Sequence, residues 1–153
     1  MALGWSASGM SLNVGVKKMA GERDLERLLS ALEPRLLDRT LVICTEPHRA
    51  LSTLPYRRVF ATVLEAEGLT VVMDREEADQ HALSYEGHYR CLSLGVHSSL
   101  DALGLTAALS SALAKEGISA NMFAGYYHDH ILVGAQDAER ALTCLCDLKV
   151  KGS

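Results

Sequence analysis

The second half of the chain carries one helical pattern that restricts the fold more than any other feature of the sequence. Residues 99–116 have no proline, and one stripe of apolar side chains repeats every three or four positions: Ala102, Leu105, Leu109 and Leu113. Ser98 and Asp101 have the spacing of a capping box at the start of a helix. Gly117 stands where a left-handed residue ends a helix in a Schellman motif, with Ile118 close to Leu113. The pattern predicts a helix over residues 99–116 that lies on a sheet.

Strands and a second helix are predicted on both sides of this helix. Apolar runs predict strands at 89–96, 118–124 and 130–133, with a turn at Tyr126–Asp129 between the last two. A further helix is predicted at 137–148. The resulting order, β-α-β-β-α, is the ferredoxin-like βαββαβ plan with its last strand missing.

The first half repeats the plan more weakly. It predicts a helix that ends before Pro34, a strand at 40–44, a hairpin of strands 59–64 and 69–73 with Gly68 in its turn, and a helix from Asp74 to Leu83 with Asp74 as its N-cap. A shift of 60 positions places residues 71–73 over 131–133. We therefore expect a flexible extension at 1–20, a first, degenerate unit at 21–87 and a second unit at 88–150.

Composition excludes several classes of function. The net charge is −4, and the 15 lysines and arginines form no cluster, which argues against nucleic acid or an anionic membrane as a partner. No apolar run approaches the roughly 20 residues of a membrane-spanning helix. The four cysteines include no CxxC pair, so we expect buried free thiols and a cytoplasmic location.

Three segments of the second half resemble a known family. Residues 94–104 (LGVHSSLDALG), 117–121 (GISAN) and 124–130 (AGYYHDH) are similar to small, mostly bacterial proteins with tandem ACT-like domains. The resemblance implies an α+β fold of two ACT-like units, with antiparallel sheets and helices on one face. It also implies a regulatory or sensor module that binds a small molecule, an amino acid in the first instance, and that pairs into homodimers through sheets or helices.

Two expectations follow for the way in which the units are completed. The chain ends just after its last helix, so the second unit needs a closing strand, which we expect from 40–44 or from the shared strand 89–96. Ala107 and Ala114 belong to a second stripe of small residues on the main helix, together with Leu100 and Leu103. This stripe predicts a close contact either with another helix of the chain or with a second copy in a homodimer.

Topology brings the polar residues of the second unit to one end of its sheet. In a β-α-β-β order, the loop after the first strand and the turn between the next two strands share that end, and the first and third strands are neighbours. The predicted ligand-binding residues are His97, Ser98, Ser99, Leu100, Asp101, Asn121, Tyr126, Tyr127, His128, Asp129 and His130. The N–H groups of Ser99 and Leu100 could bind a carboxylate, and Asp101 or Asp129 an ammonium group.

Other interpretations of the same residues remain open. His97, His128 and His130 could supply three imidazoles to a metal, as in catalytic zinc sites. The turn and cap residues could also have structural roles alone, which would leave an interaction module without a ligand. The residue types of a catalytic triad are present in Ser98 or Ser99 with His130 and Asp129. However, Asp129 is adjacent to His130 in sequence, and an adjacent residue orients an imidazole poorly. The prediction we prefer is a non-catalytic module without a cofactor.

Overall fold

A computed structural model describes residues 24–46, 58–96 and 102–151 of the 153-residue chain. The first part comprises α1 (Leu25–Ser30), β1 (Pro34–Glu46), β2 (Val59–Leu64), β3 (Leu69–Asp74) and α2 (Arg75–Gln80). The second comprises β4 (Tyr89–Leu94), α3 (Leu105–Lys115), β5 (Ala120–Ala124), β6 (Asp129–Gly134), a 3-10 turn (Ala135–Asp137) and α4 (Ala138–Lys151). None of the helices in these ranges combines the length and the apolar composition needed to span a bilayer.

The strands form one antiparallel sheet with the order β2-β3-β1-β4-β6-β5. Residues 41–46 of β1 pair with β3, whereas residues 34–36 and 40–41 pair with β4 across a bulge. β1 and β4 therefore each serve as the first strand of one unit and as the closing strand of the other. The α+β, ferredoxin-like tandem fold is confirmed, and the strand that contains 40–44 does close the second unit.

β1 is longer than the sequence predicts because this closure extends it. The apolar run 40–44 is visible in the sequence, whereas residues 34–39 include Arg35, Asp38 and Arg39 and resemble a loop. They become a strand because β4 supplies hydrogen-bonding partners, with Pro34 opposite Leu94 and Leu36 opposite Leu92.

The helices pack on one face of the sheet over two apolar clusters. The larger cluster joins α1, α3 and α4 to the second unit, and its fully buried members include Leu28, Leu32, Leu92, Leu109, Leu113, Ile131 and Leu145. The smaller lies under α2 and includes Val42, Val71, Met73 and Ala78. Since Leu28 and Leu32 precede β1, the first helix of the described chain contributes to the core of the second unit.

The opposite face holds a third cluster that consists entirely of strand residues. Leu41, Val72, Cys91 and Leu132 are at most 1% exposed. The two outermost strands approach each other across this cluster, since the ring centroids of Phe60 in β2 and Phe123 in β5 are 5.9 Å apart. In a flat sheet these strands would be separated by five spacings, about 24 Å. The sheet therefore curls until its edges meet.

The end of α3 agrees with prediction, but its start does not. Ile118 N–H donates to the carbonyl of Leu113, Gly117 N–H donates to that of Ala114, and Gly117 has a φ of +70°, which together confirm the Schellman motif. The helix begins at Leu105 and not at Ser99. Gly104, with a φ of +90°, interrupts the helical path before that residue.

The structure bears on two further residue roles predicted from local sequence, and the first of them is wrong. Asp74 stands at the N-cap position of α2, but its side chain makes no capping hydrogen bond and instead binds arginines. Ala107 and Ala114 are exposed, so within the described ranges they are not buried against another helix. Their predicted contact with a second copy stays a prediction.

Candidate ligand site at one end of the sheet

The C-terminal end of β4 and the β5–β6 hairpin lie at the same end of the sheet. The strands β4 and β6 are antiparallel neighbours, and Ser93 lies opposite His130. The segment that follows β4 therefore begins beside the hairpin, as topology predicts. Residues 97–101, which include five of the predicted ligand-binding residues (His97, Ser98, Ser99, Leu100 and Asp101), lie outside the described ranges. The approach of His97 to His130 stays a prediction.

A tight backbone approach shapes the hairpin between β5 and β6. Gly125 N–H donates to the carbonyl oxygen of His128 at 3.1 Å. A Cβ on Gly125 would lie 2.4 Å from the same oxygen, so no other residue fits there without a backbone shift. The turn spans 125–128, and Asp129, predicted as a turn residue, is already the first residue of β6.

The two tyrosines of the turn face solvent. Tyr126 and Tyr127 are 58% and 62% exposed, and their rings meet edge to face with centroids 4.9 Å apart. His128 is also exposed, and Asp129 is partly buried. The hairpin thus presents aromatic surface beside polar groups at one rim of the sheet.

Among the predicted site residues that the structure describes, His130 has the most unusual surroundings. It lies on the same face as Leu132, and its ring meets that of Phe60 edge to face with centroids 5.3 Å apart. Burial lowers the pKa of His130, the nearby His128 lowers it further, and Asp129 opposes both effects. The Nδ1 atom is buried and has no hydrogen-bond partner in the described structure. The neutral imidazole therefore retains hydrogen-bonding capacity that the described part of the chain does not use.

Asn121 lies on the same face of the sheet as His130 but farther from the hairpin. Asn121 is opposite Leu132 and two residues before Phe123, so the two residues are about 7 Å apart along β5. Its side chain is exposed. The structure therefore places Asn121 at the flank of the site.

The sequence does not identify Phe60 as part of this region. Phe60 belongs to the first unit and is 70 residues from His130, and the two meet only because the curled sheet brings β2 to β5. No local pattern in the sequence encodes that curl. For the metal hypothesis, the described ranges contain no group of three or more His, Cys, Asp or Glu side chains that could hold an ion.

Comparisons with known proteins agree with this architecture. Two models of the ACT domain match the chain, one over residues 20–90 and the other over 84–147. The protein of unknown function VC0802 from Vibrio cholerae is 42% identical, with a TM-score of 0.74 over 82% of this chain and 95% of that one. A search among curated proteins returned no match.

Two more distant solved structures share the fold. Protein Atu0741 from Agrobacterium tumefaciens is 17% identical, with a TM-score of 0.64 over 77% of this chain and 89% of that one. The ligand-free regulatory subunit of aspartate kinase from Thermus thermophilus is 12% identical, with a TM-score of 0.56 over 77% of this chain and 98% of that one. The chain belongs to the ACT domain family, as a tandem of two ACT domains.

Proposed function

We propose that this protein is a non-catalytic regulatory module that binds a small effector, an amino acid, at the hairpin end of its second unit. The tandem ACT architecture and the likeness to a regulatory subunit of aspartate kinase support a regulatory role. We further propose a cytoplasmic homodimer. In the described part of the chain β2 and β5 meet through side chains but make backbone pairs on one side only, so their outer backbone groups offer an edge on which a second copy could pair.

The observation that carries the proposal is the unpaired Nδ1 of His130. A buried polar atom without a partner costs free energy, so such atoms are rare unless a ligand or water uses them. This atom lies where β4 ends, beside the hairpin that Gly125 tightens. An amino acid carries a carboxylate and an ammonium group. His130 with the N–H groups after β4 suits the first, and Asp129 suits the second.

A thermal-shift series with the twenty amino acids tests this proposal. An effector at a hundred times its Kd stabilises the folded state by about 2.7 kcal/mol. For a chain of this size that corresponds to a rise in Tm of about 5–10 °C. His130→Gln should abolish the rise, because the amide cannot place a nitrogen or oxygen where Nδ1 is. His88→Gln is the matched control, since His88 is exposed and lies outside the site.

Two results would contradict the proposal. The first is the absence of a shift with any amino acid, and the second is an unchanged shift in His130→Gln. If no ligand binds but sedimentation shows a stable dimer, the chain acts instead as an interaction module without an effector.

A further inference from the structure

A polar pocket lies at the junction of the two units and shares no residue with the hairpin site. Its volume is about 460 Å³, and it opens where β1 bulges between Leu36 and Thr40. Four arginines, three acids and one threonine line it, and the arginines are Arg39, Arg58, Arg75 and Arg90. A pocket with this lining suits a charged ligand and not an apolar one.

One acid of the pocket, Asp74, already forms ion pairs with two of the arginines. The side chain of Asp74 is only 12% exposed. Its Oδ1 accepts from Nε of Arg39 at 2.7 Å, and its Oδ2 accepts from Nη1 of Arg58 at 3.2 Å. A single carboxylate thus faces two guanidinium groups, which leaves one positive charge in excess.

Arg90 adds a second uncompensated charge. Its Nη2 donates to the carbonyl of Leu37 at 2.9 Å, but a carbonyl is neutral. Its Nε is buried and has no acceptor in the described part of the chain. Arg75 is different, because it pairs with Asp79. Arg39, Arg58 and Arg90 together therefore exceed the charge of Asp74 by two.

The two remaining acids of the pocket, Asp38 and Glu76, offset part of this excess. Asp38 and Glu76 are exposed, and within the described ranges neither makes an ion pair with these arginines. Their charges are screened by solvent, as is that of the exposed Arg58, whereas Arg90 and Asp74 are more buried.

We propose that this junction pocket binds the phosphate group of a small metabolite. Phosphate carries a charge of about −1.5 to −2 at neutral pH and offers three strong acceptor oxygens, more than a single carboxylate does. Guanidinium groups bind its oxygens through paired N–H donors, and arginine suits this geometry better than lysine. The unused Nε of Arg90 is the donor that such an oxygen would satisfy. The pocket is larger than phosphate itself, which leaves space for the rest of the metabolite.

Thermal unfolding of the full chain in inorganic phosphate tests the proposal. At a constant ionic strength set with chloride, phosphate should raise Tm in a saturable way. Arg90→Gln should weaken the apparent affinity about tenfold or more, because a charge-assisted hydrogen bond is lost. Arg35→Gln is the matched control. Arg35 lies in β1, the neighbour of the strand that carries Arg90, but it is 74% exposed and pairs with Glu33 outside the pocket, so its removal should leave the affinity unchanged.

Three outcomes would overturn the proposal. They are equal Tm values in phosphate and chloride, equal phosphate affinity in Arg90→Gln and the wild type, and a larger shift with succinate than with phosphate, which would assign the pocket to dicarboxylates. If circular dichroism shows that Arg90→Gln does not fold, Arg58→Gln replaces it. The Arg58 side chain is 55% exposed, and the same loss of affinity is expected.

Discussion

Replacing Phe60 and Phe123 by alanine measures the contact between the two edges of the sheet. The rings are 5.9 Å apart at an angle of 80°, an edge-to-face contact. Truncation of a fully buried phenylalanine costs about 3–5 kcal/mol. Both rings are partly exposed, so each single variant should lose about 2 kcal/mol. Edge-to-face pairs contribute about 0.5–1.5 kcal/mol beyond the area they bury. The double variant should therefore lose about 3 kcal/mol, less than the sum of the two single losses.

Urea denaturation of the four proteins in this cycle gives the coupling free energy. The variants should share one m-value, which would show that only stability has changed. Leu64→Ala combined with Phe123→Ala is the control cycle, because Leu64 is 82% exposed at the far end of β2, and its coupling should be zero within about 0.5 kcal/mol. A coupling between Phe60 and Phe123 that is no larger than the control would refute the curled sheet.

Three further predictions concern the shared strands, the histidine of the site and the thiols. Fragments 1–87 and 88–153 should each fail to unfold cooperatively alone, because each lacks its closing strand, and a sharp melting transition for either by circular dichroism would contradict this. Burial lowers the pKa of His130 below its ordinary 6.5, so the unfolded chain takes up the proton first as pH falls. The stability of the wild type relative to His130→Gln should therefore decrease as pH falls through about 6.5 in urea titrations, and a constant difference would exclude this linkage. Burial raises the pKa of Cys91 to about 11. A thiol reagent should thus label the exposed Cys146 in the native protein and Cys91 only after unfolding, and mass spectrometry that finds Cys91 labelled first would contradict it.

The features predicted correctly from sequence are those with local causes. The end of α3 needs only Gly117 and the carbonyl groups of the preceding turn. The β2–β3 hairpin likewise closes through reciprocal hydrogen bonds between Glu65 and Gly68, within four consecutive residues. Such signals lie within a few positions of each other, so a sequence pattern contains all the information that is needed.

The features predicted wrongly have distant causes or competing local ones. Asp74 has the position of an N-cap, but Arg39 and Arg58 reach it from other parts of the chain and bind both of its oxygens. At the start of α3, the capping pattern of Ser98 and Asp101 competes with Gly104, whose left-handed conformation determines where the helix begins. A cap is a weak preference of about 1 kcal/mol, and stronger tertiary or backbone terms override it.

The candidate site follows the same division. Topology alone places the hairpin at the end of β4, and the pairing of Ser93 with His130 agrees. The contact of His130 with Phe60 and that of Arg90 with the carbonyl of Leu37 could not be predicted, because each joins the two units. Both contacts exist because β1 is the closing strand of the second unit and β4 is the closing strand of the first. A sequence divided near residue 87 therefore separates groups that fold together. For this reason, a substitution in the first unit can alter the surroundings of the candidate site in the second unit, even though the sequence motif of that site is unchanged.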